Sequence, residues 1–169
     1  MVTFRVRDAL VVGGLLLAGV LYFVLAQRAP DEQIREQLRL LGRHAEQTPP
    51  VARTIDRVLS PFVEPDVRLH IPEIGATAGR SAAAELLSET KLLYPSVSLR
   101  FEKIHVDLDQ DQNGATVQAD VTLRLERGGR VQTDERRVTL RMQRSDDHEW
   151  RLASADVAAK TNEQPEARP

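Results

Sequence analysis

Val117-Gln118-Ala119-Asp120-Val121-Thr122-Leu123-Arg124-Leu125-Glu126 sets an apolar residue against a polar one at every step. That is the period of a strand with one face buried and the other in water. Asn113-Gly114 precedes the run, Gly128-Gly129 follows it, and Ser145-Asp146-Asp147 lies beyond. Residue pairs of the first two kinds accept the positive φ of tight hairpin turns. Ser96 to Ala158 therefore reads as four strands in series joined by three reversals, an antiparallel meander.

Within the meander the apolar parity slips twice. In the first strand it passes from Val97, Leu99 and Phe101 to Ile104, Val106 and Leu108, which predicts a bulge near Glu102 and Lys103. In the third it passes from Val131 to Val138, Leu140 and Met142, which predicts a second bulge at Glu135, Arg136 and Arg137. Paired bulges bend a sheet, and a bent sheet holds helices in its hollow. Trp150 and Leu152 open the last strand on its buried side.

Upstream, Pro30 and Asp31 open a helix whose apolar face is Ile34, Leu38, Leu41 and Ala45, with Asp31 and Glu32 at the positive end of its dipole. Thr48-Pro49-Pro50 breaks it and starts a second helix with the stripe Val51, Ile55, Val58, Leu59 and Phe62. Val67, Leu69 and Ile71 read as a short edge strand, because Pro72 cannot serve a central ladder. Gly75 to Gly79 reads as a loop. Ser81 is the expected N-cap of a third helix that buries Ala83, Leu86, Leu87, Thr90 and Leu93 before Pro95 ends it.

The chain has 169 residues, 41% hydrophobic and 28% charged, which suits one folded domain. A net charge of −2 with interleaved signs offers no basic stripe for a phosphate backbone, so nucleic acid is not an expected partner. The lack of cysteine removes disulfides, thiolate nucleophiles and cysteine-based zinc sites.

Residues 9–26 carry no charge, and a helix there at 1.5 Å per residue spans roughly 27 Å, the thickness of a bilayer core. The alternative is a cleaved signal peptide ending at Val24-Leu25-Ala26. The run is longer than a signal core and stays bulky through Tyr22 and Phe23, which favours an uncleaved anchor. Arg5 and Arg7 precede it, while Arg28, Arg35, Arg39 and Arg43 follow. A short basic tail is nonetheless retained more readily than a whole domain, so the N-terminus is expected in the cytoplasm and the domain outside the cytoplasmic membrane. The resulting division is residues 1–8 as a cytoplasmic tail, 9–26 as a transmembrane helix, 27–158 as the folded domain and 159–169 as a disordered tail.

The order of two helices, an edge strand, a third helix and a bent four-strand meander resembles the nuclear transport factor 2-like superfamily. That superfamily has a cystatin-like α+β fold and includes ketosteroid isomerase and SnoaL-like cyclases. The local resemblance is carried by Pro65-Asp66-Val67-Arg68-Leu69-His70-Ile71-Pro72, by Gly79-Arg80-Ser81-Ala82-Ala83-Ala84, and by Glu149-Trp150-Arg151-Leu152. It implies a cone-shaped domain of three helices on a strongly curved sheet, with a cavity between them. It also implies, for the isomerases, a catalytic aspartate just before the edge-strand proline. Here Ile71 stands in that place, and neither early helix has a tyrosine to match the family's donor.

The candidates for chemistry are few. His70 and His105 lie in strands and titrate near neutral pH, but parity turns both outward. Glu73 joins them only if a bulge turns His70 inward to a cavity mouth. Arg80 could meet an acidic ligand, Ile71 marks the expected catalytic position, and Trp150 could stack on a ligand, although turn and core roles account for Arg80 and Trp150 as well. His70-x-x-Glu73 and His105-x-Asp107 match no zinc pattern, and the acids around Asn113 match no calcium loop, so neither metal nor cofactor is expected. The wet outer strand face of Gln118, Asp120, Thr122 and Arg124 disfavours a strong sheet-to-sheet homodimer. The leading expectation is a membrane-anchored envelope protein whose non-catalytic domain binds a partner protein, such as an envelope complex, or a small apolar ligand. The alternative is a SnoaL-like isomerase, cyclase or hydrolase acting on a small hydrophobic substrate. A closed interior would instead suit a plain structural spacer.

Overall fold

The computed structural model describes residues 29–159. Three helices, α1 (Pro30–Gln47), α2 (Ala52–Leu59) and α3 (Arg80–Leu93), accompany six strands: β1 (Val63–Ile71), β2 (Gly75–Ala78), β3 (Ser96–Leu108), β4 (Gly114–Arg127), β5 (Arg130–Arg144) and β6 (Trp150–Val157). The strands form one mixed sheet in the order β2-β1-β6-β5-β4-β3. All neighbours are antiparallel except β1 and β6, which run parallel. No helix among the described residues is long and apolar enough to cross a membrane, and residues 9–26 and the tail from residue 160 lie outside them.

The four-strand meander is as expected, and its β4–β5 turn is the two-residue Gly128-Gly129, both with positive φ, between paired Arg127 and Arg130, whereas the β3–β4 reversal is a loop over 109–113 with its positive φ at Gln112 and not at Asn113-Gly114. The first bulge is also present: pairing slips between Glu102 and His105, and Lys103 takes a φ of 47°. The second is not in β5, which pairs with β4 without a slip from Arg130 to Gln143. The slip lies one strand over, where Arg141 faces Ser154 and Met142 faces Leu152, leaving Ala153 as the extra residue in β6. Parity misled at this point because the inner positions of β5 continue through Arg136 and Asp134, while Val131 is an outer residue, 49% exposed.

The expected edge strand is instead an interior one. β1 lies between β6 and β2, and Gly75 to Ala78, expected to be loop, forms the short edge strand β2. Pro72 does not interrupt the ladder because it falls in the turn after Ile71. Pro65, inside β1, sits where the β1–β6 pairing slips between Val63 and Arg68, the kind of place a strand proline can occupy. At the other edge α1 lies along β3. Gly42 backs onto the Leu99 carbonyl, and Arg35 Nη1 donates to the Ile104 carbonyl.

Ile34, Leu38, Leu41 and Ala45 of α1 are all buried, as their spacing demands. Trp150, Ile34, Leu38, Ile55, Met142, Val67 and Val117 are each less than 2% exposed and fill the hollow of the sheet. Burial of one such side chain contributes about 1.5–3 kcal/mol.

Helix α3 does not bury the expected side. Ala84, Ser88 and Lys91 face inward, while Leu93 is 56% exposed. The cause is the end of α1. Lys91 Nζ donates to the carbonyls of Glu46, at 2.9 Å, and Thr48, and Ser88 Oγ donates to the carbonyl of Pro50 at 3.1 Å. A cation thus sits at the negative end of the α1 dipole and satisfies acceptors that the helix itself leaves open. Ser81 is not the cap of α3. Gly79, with φ of 94°, holds that position, and Ser81 lies in the first turn with its Oγ 3.4 Å from Asp56 Oδ1.

Candidate functional site

Asp134 and Arg136 are two residues apart on β5 and therefore share its inner face with Val138, Leu140 and Met142. Their β4 partners are Leu123 and Val121, and Val121 in turn pairs with Phe101 of β3. A charged pair thus stands on the concave side, ringed by half-buried apolar residues. The turn between β1 and β2 brings in a third group, Glu73.

The guanidinium joins all three. Arg136 Nη2 lies 2.9 Å from Asp134 Oδ2, Nε donates to the same oxygen at 3.1 Å, and Nη1 lies 2.7 Å from Glu73 Oε1. The Arg136 side chain is 12% exposed and that of Glu73 52%. The hydrogen bonds that Arg136 donates, to Asp134 first and Glu73 second, raise its pKa. The bond from Arg136 holds the Glu73 carboxyl below its ordinary range, against a small opposing effect of burial. At neutral pH Glu73 is thus an ionised partner of a guanidinium, poorly suited to take or give a proton. Its visible work is mechanical: it ties the β1–β2 turn to β5.

The histidines are elsewhere. His70 is exposed on the outer face, in register with Ala76 of β2 and Asp156 of β6. With Arg68, Ala78 and Ser154 these residues line a shallow depression of about 310 Å³. His70 and Glu73 are therefore not brought together, since Glu73 turns to Arg136 on the other side. His105 is 70% exposed, with Nε2 3.4 Å from Asp107 Oδ1, a pair confined to one strand.

Arg80 is engaged within the domain. Its Nε donates to Asp56 Oδ1 at 3.1 Å and its Nη1 to the Val63 carbonyl at 3.3 Å, which joins α2, α3 and β1. Ile71 is half-buried at the end of β1, opposite Gly75. Trp150 is 1% exposed and part of the core, and its Nε1 has no hydrogen-bond partner among the described residues. It borders a depression of about 300 Å³ with Gln33, Gln37, Leu40 and His148. Among the described residues no group of three His, Asp or Glu could hold a metal ion.

A larger open groove, of about 890 Å³, is lined by Asp134 and Arg136 together with Lys103, Asp120, Glu135 and Arg137. Asp120 is held by Lys103 Nζ at 2.9 Å and Arg137 Nε at 3.6 Å, and these cations, Lys103 foremost, lower its pKa. The sequence signal for Asp134 and Arg136 was present in the even parity running down from Val138. A bulge offered a simpler account of the charges there than inward-pointing ones.

No family model matches the chain, and no curated relative matches it. Solved structures do. A nuclear transport factor 2-like superfamily protein from Salmonella enterica serovar Typhimurium superposes with a TM-score of 0.65 at 14% identity, covering 83% of this chain and 97% of the other. A nuclear transport factor 2-like protein with a cystatin-like fold from Novosphingobium aromaticivorans gives 0.62 at 14% identity, covering 96% and 95%. Aln2 from a Streptomyces species gives 0.55 at 12% identity, covering 72% and 81%. The fold is that of the nuclear transport factor 2-like superfamily, and identities this low carry the fold alone.

Proposed function

We propose that this chain is a non-catalytic nuclear transport factor 2-like domain that holds a partner protein, carried outside the cytoplasmic membrane on an anchor formed by residues 9–26. One observation carries the non-catalytic part. The concave face presents Arg136 already shared between Asp134 and Glu73, over a hollow filled by Trp150, Met142 and Ile34, where an enzyme needs a polar group free to meet a small substrate. The same filling favours a protein partner over a small apolar ligand, because a ligand would have to displace core side chains. The anchor is supported by the uncharged run of residues 9–26.

Photo-crosslinking of the full chain in native membranes tests this reading. The expected result is a discrete covalent adduct with another envelope protein, from a chain that sediments with membranes and resists alkaline extraction. Recovery of the chain from the soluble fraction, or crosslinks to no protein at all, would overturn it. Turnover that is abolished by His70→Ala would establish the SnoaL-like alternative in its place.

A further inference from the structure

The two edges of the sheet are built differently. Along the β3 edge lies α1, Arg35 Nη1 donates to the Ile104 carbonyl, the strand is bulged at Lys103, and Arg100, Glu102 and Lys103 put charges on it. Cover, bulges and charges are devices that keep a strand edge from pairing with another chain. None of these is present at the β2 edge among the described residues. The strand is Gly75-Ala76-Thr77-Ala78, uncharged and without proline, and no described strand lies beyond it. Its surroundings are open: a Cβ at Gly75 would meet nothing within 4 Å, and one at Gly79 only the Pro65 carbonyl, at 3.8 Å.

The register decides which groups this edge presents. The Gly79 N–H donates to the Val67 carbonyl at 2.7 Å. In an antiparallel ladder hydrogen-bonded pairs alternate with unbonded ones, so Leu69 with Thr77 is bonded, while Arg68 with Ala78 and His70 with Ala76 are not. Ala76 and Ala78 therefore direct their N–H and C=O groups away from β1, to the free edge. Short as it is, β2 offers a neighbouring strand both residues' donors and acceptors. The edge is also held in place, because Glu73 in the turn before it lies 2.7 Å from Arg136 Nη1 of β5.

The side chains beside the edge narrow what it meets. Ala76 and Ala78 share the outer face with His70 and Arg68 of β1 and with Asp156 and Ser154 of β6, and these six line the depression of about 310 Å³. A side chain opposite Ala78 on an added strand would stand two strand spacings from Arg68, roughly 10 Å, with only the alanine methyl between them. An arginine and a glutamate together bridge that gap. Arg68 has Ser154 beside it in register, whereas Asp156 sits farther along, against His70.

We infer that the free edge of β2 takes an extended segment of a partner protein as a seventh strand, with a carboxylate opposite Ala78 engaging Arg68. Backbone bonds supply the attachment in such strand addition, and side chains at alternate positions supply the choice of partner. This deepens the proposed function, on which it rests for the class of partner. Crosslinks to an envelope protein that map to another face would remove the edge site and leave the partner-holding role standing.

The test uses the full chain in detergent micelles and the peptide Val-Glu-Val-Glu-Val-Glu, labelled with fluorescein for anisotropy and unlabelled for amide hydrogen exchange by NMR. The peptide is expected to bind and to slow exchange at the Ala76 and Ala78 N–H groups. Val-Val-Val-Glu-Glu-Glu, of the same composition without the alternation, binds more weakly. Ala78→Pro removes a donor that the β1 ladder does not use and is expected to weaken binding about tenfold or more, whereas Ala78→Ser retains it. Arg68→Gln weakens binding of the glutamate peptide but not of Val-Gln-Val-Gln-Val-Gln, a comparison that stands even if the proline variant fails to fold. No binding, binding without slowed exchange at Ala76 and Ala78, equal affinity for the two glutamate peptides, or edge amides already protected in the free chain would overturn the assignment. So would self-association of the parent that Ala78→Pro abolishes, which would make the β2 edge of a second copy the occupant.

Discussion

Gly42 of α1 stands so close to Leu99 of β3 that a Cβ at residue 42 would lie 2.5 Å from the Leu99 carbonyl oxygen. A helix interior ordinarily gains about 1 kcal/mol when alanine replaces glycine. Here the obstacle is backbone in a paired strand and has little room to retreat. Gly42→Ala is therefore expected to destabilise the domain by about 1–3 kcal/mol, the range for overpacking. Chemical denaturation measures it, and an unchanged or raised midpoint would show that α1 lifts off β3 without cost.

Gly114 offers the contrasting case. A Cβ there would collide with the ends of two side chains, Asp109 and Arg141, whose ion pair ties the β3–β4 turn to β5. Those ends can swing aside at the cost of their pairing, so Gly114→Ala is expected to cost less than Gly42→Ala. The Asp109 pKa, held low chiefly by Arg141, should rise in the variant, which NMR titration of the carboxyl resonances reads directly.

Glu73 gives the domain an acid-sensitive contact. Its folded pKa lies below the ordinary 4.5, so its contribution is complete above pH 4.5 and is lost as pH falls from there through the lower folded value. Glu73→Gln should therefore melt below the parent at pH 7, and the gap should close as pH falls below 4.5 through the lowered folded value. A gap that persists undiminished in acid would mean that Glu73 acts by packing and not through its charge.

Lys91 has the same sign in a higher pH window, but there it is the charged form that folding disfavours. Burial lowers its pKa from 10.5, partly offset by Glu46, so the unfolded chain binds the proton more readily and stability rises with pH between the lowered value and 10.5. Lys91→Met keeps the aliphatic volume but leaves the Glu46 and Thr48 carbonyls without their donor. The expected loss at pH 7 is about 1–3 kcal/mol, with reduced helicity at the end of α1 by hydrogen exchange. A stabilised variant would show that desolvation of the ammonium outweighs its two bonds.

The meander and the inner face of α1 were legible in the sequence because one-sided burial writes a period into the residues themselves. Val117 to Glu126 shows it for β4, and Ile34 to Ala45 for α1. The Glu102–Lys103 bulge was legible for the same reason, as a change of parity. What escaped were positions where polar groups take inner places. Asp134 and Arg136 made an unbroken β5 look bulged, and Lys91 with Ser88 rotated α3 away from its apolar stripe. Each is inward because of a partner distant in the chain: Glu73 for Arg136, Glu46 and Thr48 for Lys91, Pro50 for Ser88. Local periodicity contains no trace of such partners. The candidate site was hidden for this reason, while His70 and His105 fell on the outer face as alternation required.

The parallel pairing of β1 with β6 has a consequence for how the chain is made. Until residues 150–157 have left the ribosome, β1 has only the four-residue β2 beside it, and the loop that must close spans most of the domain. The growing polypeptide therefore stays without its completed sheet until β6 itself has been made, and β1 waits as a ribbon with one long side unpaired.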